Sequence, residues 1–190
     1  MRSGHRPRLS EVMELAPVES VADATQQLTP DPRILELIQD QHGQAMLGFA
    51  MRLSYDPDRA EDAVQETLFR LWRELCRGTV IDDPAAWSFR ALYRICMDQH
   101  RFARRLDGLL GRLRGPASVQ GPGVDEDARA VWAEVDRLPD RQRHVLYLRY
   151  RADLSFDSIG GVLCITPGAA RTLASRGLHR LRSRLGTDEG

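Results

Sequence analysis

The sequence predicts an all-α protein with two small helical domains joined by a flexible linker. Apolar residues recur every three or four positions along most of the chain, which is the period of an amphipathic helix. Glycine and proline interrupt this period between 107 and 127, where the composition does not support a packed core. We therefore expect a flexible tail over 1–31, a first domain over 32–106, a linker over 107–127 and a second domain over 128–186.

Three helices are expected in the first domain. The first covers about 34–53, where the apolar side chains fall on one face. Asp56 before Pro57 is typical of an N-cap followed by a first-position proline, and Asp83 before Pro84 repeats that start for the third helix. The third helix is expected to have an apolar side and, opposite it, a basic side. The apolar side consists of Leu92, Ile95 and Phe102, and the basic side includes Arg90, Arg94 and Arg101.

Four helices are expected in the second domain. The first ends before Pro139, and the next leads into the segment 153–185. Ser155 is a suitable N-cap for the third helix, and Thr166 followed by Pro167 marks the start of the fourth after a very short turn. Two short helices joined by such a turn form a helix-turn-helix, a motif that binds DNA in many proteins.

The last helix has apolar and basic residues on opposite sides. Ala174 and Leu181 lie on one face, and Arg176 and Arg180 lie roughly opposite. Residues 171–184 include five arginines and no acidic residue. A solvated helix face usually mixes both signs of charge, whereas the planar fork of arginine fits phosphates and guanine edges. We therefore expect this helix to bind DNA.

Composition excludes several classes of function. The 27 basic residues balance 27 acidic ones, but the charges lie in blocks: residues 31–83 are acidic, and residues 84–114 and 139–185 are basic. The two basic blocks are thus suited to binding nucleic acid, and the acidic block is suited to binding a basic protein surface. The three cysteines form no CxxC pair, and no catalytic arrangement is present, so we expect no metal, no cofactor and no enzymatic activity. No apolar run is long enough for membrane insertion, and we expect a cytoplasmic protein.

Two short segments have specific motifs. Residues 60–73 are Ala-Glu-Asp-Ala-Val-Gln-Glu-Thr-Leu-Phe-Arg-Leu-Trp-Arg, and residues 138–146 are Leu-Pro-Asp-Arg-Gln-Arg-His-Val-Leu. With the order of the helices, they resemble the bacterial RNA polymerase sigma factors of the extracytoplasmic-function (ECF) type over about 33–185. The resemblance makes 32–106 a sigma region-two domain and 128–186 a region-four helix-turn-helix domain.

The resemblance implies a polymerase-binding face on the second helix. Asp62, Gln65 and Glu66 have the spacing i, i+3, i+4 and therefore share one side of the helix, away from its apolar stripe. In the family this face binds the clamp helices of the largest polymerase subunit. The flap of the second-largest subunit is a further implied partner, and an anti-sigma factor that clamps both domains is common in the family.

The resemblance also implies two contacts with promoter DNA. The loop 78–83 and the third helix would bind the melted minus-ten element, through Trp87, Arg90, Arg94 and Arg101. The helix-turn-helix would bind the minus-thirty-five element, through Arg149, Arg171, Thr172, Ser175, Arg176 and Arg180. Arg94 stands where the family usually has Asn, and Leu173 where it usually has Arg, so we expect a different promoter preference.

The implied function is that of a sigma factor, which binds core RNA polymerase, directs promoter-specific initiation and helps to melt the promoter. The alternative from another class is a stand-alone helix-turn-helix regulator with a helical sensor or dimerisation domain. Residues 60–73 favour the sigma factor, because a simple regulator has no need of that acidic motif.

Overall fold

The structure, a computed structural model, describes residues 33–54, 56–110 and 126–186, without the side chains of 103–110 and 126–128. The described residues form seven helices and no strand, which confirms the all-α prediction. The helices are α1 (Arg33–Ser54), α2 (Pro57–Cys76), α3 (Pro84–Leu110), α4 (Glu126–Asp136), α5 (Asp140–Tyr150), α6 (Phe156–Leu163) and α7 (Pro167–Leu185). The expected tail 1–31 and most of the expected linker lie outside the described residues. Helix α3 continues past 106 into the range expected for the linker.

The helix starts predicted from capping residues are confirmed. Asp56 accepts a hydrogen bond from the backbone N–H of Arg59, and Asp83 accepts one from that of Ala86, at 3.4 and 2.8 Å. Thr166 caps α7 in the same way through the backbone N–H of Ala169, at 3.1 Å. These bonds satisfy donors that the first helical turn leaves without a partner.

Helices α1, α2 and α3 pack together as an N-terminal unit around large buried side chains. Phe49 from α1, Leu71 from α2 and Phe89 and Leu92 from α3 are fully buried. Phe102, which the helix period places on the apolar side of α3, is instead 64% exposed.

Helices α4 to α7 form a C-terminal unit that packs directly on the N-terminal one. Helix α6 lies against α3, and α5 touches α1. The buried apolar residues of both units belong to one continuous cluster. The sequence predicted two domains on a flexible linker and gave no sign of this contact.

Candidate nucleic-acid and partner interfaces

Helix α2 presents a polar face with an aromatic residue in it. Ala60, Ala63, Thr67 and Leu71 are its buried residues and face the other two helices. Asp62 and Gln65 are exposed on the outer side, while Glu66 is half-buried and accepts a hydrogen bond from Arg70 at 2.7 Å.

Phe69 belongs to the same outer face, because it lies three residues after Glu66 and seven after Asp62. It is exposed, and the guanidinium of Arg73 lies 5.8 Å from its ring centre. Sequence reasoning did not single out Phe69. The sequence signal that could have identified Phe69 is its place on the polar face of the acidic motif. A large apolar side chain on an otherwise polar face is suited to binding a partner.

The four residues expected at the minus-ten element have different environments. Arg94 and Arg101 are exposed, and Arg101 pairs with Asp98 at 3.3 Å. Trp87 is half-buried against the core cluster, so its ring has a packing role. Arg90 is half-buried too, and it points at α6 of the C-terminal unit.

The loop between α2 and α3 is bonded to the end of α2 and exposes an apolar side chain. Gly78 has a φ of 75°, in the left-handed region that favours glycine. The hydroxyl of Thr79 donates to a carboxylate oxygen of Glu74 at 3.2 Å. Val80 next to it is 87% exposed, so the loop presents an apolar side chain at its tip.

Helix α7 exposes the residues expected at the minus-thirty-five element, and several of them have partners. Arg171, Thr172, Ser175, Arg176 and Arg180 are all exposed. The hydroxyl of Thr172 donates to the carbonyl of Gly168 at 3.0 Å, and Arg171 lies 3.9 Å from a carboxylate oxygen of Asp157. Ser175 and Arg176 lie on the exposed side of α7.

Arg149, expected at the DNA backbone, has a structural position. Its guanidinium donates to the carbonyl of Leu154 at 3.0 Å and lies 5.5 Å from the ring centre of Phe156. It is also 3.8 Å from the carboxylate of Asp153, a residue with a φ of 52°. Arg149 thus holds the turn between α5 and α6, where the backbone adopts a conformation rare for a non-glycine residue.

Side chains of the motif at 138–146 form hydrogen bonds between helices of the C-terminal unit. Arg143 donates to the backbone carbonyl of Asp136 at 3.0 Å and to the carboxylate of Asp140 at 2.7 Å, so it closes the corner between α4 and α5. The side-chain oxygen of Gln142 accepts from Arg180 on α7 at 3.2 Å. Arg180 is therefore held by the protein itself on the side of α7 nearest α5.

Close packing explains the two glycines of α6. A Cβ at position 160 would lie 2.8 Å from the carbonyl oxygen of Ile165, which brings the two helices of the motif together. A Cβ at position 161 would lie 2.7 Å from the guanidinium of Arg90 on α3. Each glycine costs helix stability of about 1 kcal/mol relative to alanine, and here both allow a neighbour to approach.

Leu173 and His144 lie at the contact between the units. Leu173 is half-buried and lines a cavity of about 20 Å³ with Tyr93 and His144. It therefore faces α3 and α5 instead of the outer side of α7. Burial, together with the nearby charge of Arg143, lowers the pKa of His144 from 6.5 to about 4.

The described residues contain no group of three or more His, Cys, Asp or Glu side chains placed to bind a metal. In the same ranges, no helix is both long and apolar enough to cross a membrane. Cys76 and Cys164 are exposed, and Cys96 is buried, which raises the pKa of its thiol to about 12.

Comparison with known proteins identifies both units. Residues 38–106 match Sigma-70 region 2, and residues 135–183 match Sigma-70, region 4. The chain belongs to the sigma-70 family. Its relatives place this sigma factor in the ECF group. The ECF RNA polymerase sigma factor SigL of Mycobacterium tuberculosis is 36% identical over 109 residues, and SigE of Mycolicibacterium smegmatis is 30% identical over 176 residues.

Coverage of these relatives is partial. The match to SigL includes 55% of this chain and 57% of SigL, and the match to SigE includes 87% of this chain and 66% of SigE. The fold is similar to that of the sigma factor RpoE from Bartonella quintana, solved in complex with the anti-sigma factor NepR. That match has a TM-score of 0.63 and 23% identity, and it covers 87% of this chain and 98% of RpoE.

Proposed function

We propose that this protein is a promoter-specificity subunit of bacterial RNA polymerase. It binds the core enzyme in the cytoplasm, directs initiation to promoters with a minus-ten and a minus-thirty-five element, and helps to melt the duplex, without catalysing a reaction itself. One observation carries the proposal: the chain combines sequences matching region 2 and region 4, and the first includes the exposed polar face of α2.

The polymerase contact of this proposal is the outer face of α2. Asp62, Gln65 and Glu66 supply acceptors for basic groups of the clamp helices in the largest subunit, and Phe69 supplies an exposed ring that association would bury. The C-terminal unit meets the flap of the second-largest subunit. The similar structure of RpoE was solved in complex with the anti-sigma factor NepR, and we include such a factor among the partners.

The promoter contacts are assigned to two surfaces. Residues 32–106, as the region-two domain, hold the melted minus-ten strand through the exposed Arg94 and Arg101, the half-buried Arg90 and the loop with Val80 at its tip. Residues 128–186, as the region-four domain, recognise the minus-thirty-five duplex with the outer face of α7, where Ser175 and Arg176 are exposed. The segment 107–127 connects them.

The test is transcription by a reconstituted holoenzyme. Purified protein is added to sigma-free core polymerase on a library of genomic fragments, and new transcript starts are mapped. Starts that share two sequence elements support the proposal. A stand-alone regulator would bind DNA without core polymerase and produce no new starts, so that result, together with absent binding to core, would overturn it.

A matched pair of variants tests the polymerase face. Asp62→Arg reverses a charge in the proposed contact, and Glu61→Arg makes the same change one position away, where the side chain is exposed on another side of α2. We expect Asp62→Arg to weaken core binding about tenfold or more, because apposed like charges cost at least about 1.4 kcal/mol. Glu61→Arg should stay within about twofold of the parent. Equal affinities for both variants would exclude this face.

A further inference from the structure

We propose that Phe156 and Asp157, at the start of α6, hold the guanidinium of Arg171 in one orientation, so that Arg171 recognises a guanine of the minus-thirty-five element. Phe156 and Asp157 act through Arg171 and are therefore positioning residues. The inference rests on the proposed function, because it requires α7 to bind promoter DNA.

The ring of Phe156 lies close to two guanidinium groups. Phe156 is the first residue of α6 and is half-buried against the core cluster. The guanidinium carbons of Arg149 and Arg171 lie 5.5 and 5.6 Å from its ring centre, within the range of a cation–π contact. Arg149 is itself bonded to the carbonyl of Leu154 at 3.0 Å. Because the core and Arg149 fix the ring, its contact with Arg171 restricts that side chain as well.

A carboxylate next to the ring makes a second contact with Arg171. Asp157 lies in the first turn of α6, and its Oδ2 atom is 3.9 Å from an Nη atom of Arg171 on α7. The side chain of Arg171 is nevertheless 58% exposed, so more than half of it stays accessible to a ligand. A ring and a carboxylate of one helix thus restrict an arginine of the next helix without covering it.

Arg176 on the same helix differs from Arg171. It is exposed, and among the described residues its side chain makes no hydrogen bond, ion pair or ring contact. Ordering a rotamer-rich side chain costs free energy at association, and a side chain that is already ordered avoids part of that cost. Arg171 is therefore better suited than Arg176 to a contact of fixed geometry.

The place of Arg171 and the charge of Asp157 favour a base over a phosphate. In helix-turn-helix proteins the N-terminal residues of the second helix contact base edges, and Arg171 is the fifth residue of α7, whereas Arg176 is the tenth. The planar fork of arginine fits either a phosphate or the O6 and N7 atoms of guanine. The carboxylate of Asp157 repels a phosphate, because apposed like charges disfavour binding. Guanine is therefore the favoured ligand of Arg171.

Transcription by the reconstituted holoenzyme tests this assignment. The template is a promoter that the parent holoenzyme uses, with each base pair of its minus-thirty-five element replaced in turn. Initial transcription is measured with holoenzyme below saturation. Replacing the guanine that Arg171 binds should lower transcription by the parent about tenfold. Arg171→Ala should remove this preference at that base pair alone.

Asp157→Asn and Asp153→Asn form a matched pair of variants. Each removes one negative charge, and Asp153 is exposed and lies 3.8 Å from Arg149 instead of Arg171. Asparagine also tolerates the φ of 52° at position 153. We expect Asp157→Asn to weaken the preference for the guanine about threefold and to raise binding to promoter-free duplex about twofold. Asp153→Asn should keep the parental preference.

Two further variants separate the ring from the charge. Phe156→Leu keeps an apolar side chain against the core, and it should weaken the preference for the guanine about threefold without raising binding to promoter-free duplex. In a chain that already has Arg171→Ala, Asp157→Asn should leave the remaining base preferences unchanged, because both changes act on one contact.

A measurement without DNA or polymerase tests the positioning itself. NMR relaxation of the arginine Nε–H groups in the free full-length chain gives an order parameter for each side chain. We expect a value above about 0.6 for Arg171 and below about 0.6 for Arg176. Asp157→Asn should lower the value of Arg171, and Asp153→Asn should not.

The contrary results are distinct. An Arg171 as mobile as Arg176 would overturn the positioning, and so would an Asp157→Asn variant that keeps the full preference or that lowers transcription equally from every substituted template. If the parent starts at promoters but no guanine depends on Arg171, the inference fails and the proposed function stands. A parent that neither binds core polymerase nor produces new transcript starts would overturn the proposed function, and the base contact with it.

Discussion

His144 makes the stability of this protein depend on pH. Its side chain is 8% exposed, and its ring lies between Phe49 and Tyr93, with centres 5.7 and 6.5 Å away. The Nε2 atom is buried without a hydrogen-bond partner among the described residues. Burial and, to a smaller extent, the charge of Arg143 lower the pKa of His144 from 6.5 to about 4, and the charge of Asp140 partly opposes them. Protonated His144 is therefore strongly disfavoured in the folded chain.

The size of the effect follows from the two pKa values of His144. The unfolded chain has a pKa near 6.5 and the folded chain one of about 4, so the neutral form contributes stability above pH 6.5 that is lost as the pH falls towards 4. The full difference is about 3 kcal/mol, at about 1.4 kcal/mol per pKa unit. Between pH 7.5 and 5.5 the loss is about 1.3 kcal/mol.

Urea unfolding at pH 7.5 and 5.5 measures this loss. His144→Leu removes the titrating ring with little change in volume, and His179→Leu removes a histidine from the exposed side of α7. We expect the free energy of unfolding of the parent and of His179→Leu to fall about 1.3 kcal/mol more than that of His144→Leu. Carboxylates titrate in all three proteins, so their contribution cancels. An equal fall in all three would refute the assignment of the proton uptake to His144.

Two further predictions concern the C-terminal unit and the cysteines. Arg149→Met should lower the free energy of unfolding by about 1–2 kcal/mol through the lost hydrogen bond to Leu154; a variant with parental stability in urea and weaker DNA binding would instead make Arg149 a DNA contact. In the folded protein at pH 8, a thiol reagent should modify Cys76 and Cys164 quickly and Cys96 only on unfolding, because burial raises the pKa of Cys96 to about 12. Three equally fast reactions would contradict the buried position of Cys96.

Short-range signals in this sequence predicted local structure well. Asp56 and Thr166 cap helices as expected, since an N-cap bond spans only three residues and its partners are neighbours in the chain. The acidic residues Asp62 and Glu66 also lie outside the core, because the apolar period of α2 determines which side is buried. The sigma motifs at 60–73 and 138–146 then indicated the family that the comparisons confirm.

Long-range contacts could not be predicted in this way. Arg90 and Arg94 are both arginines on nearly the same side of α3. Arg94 is exposed, whereas Arg90 is half-buried because its guanidinium lies against Gly161 of α6. The partner of Arg52 is 84 residues away in the sequence, and no periodicity links the two positions. The glycine at 48 resembles any helical glycine until the ring of Tyr147 is placed beside it.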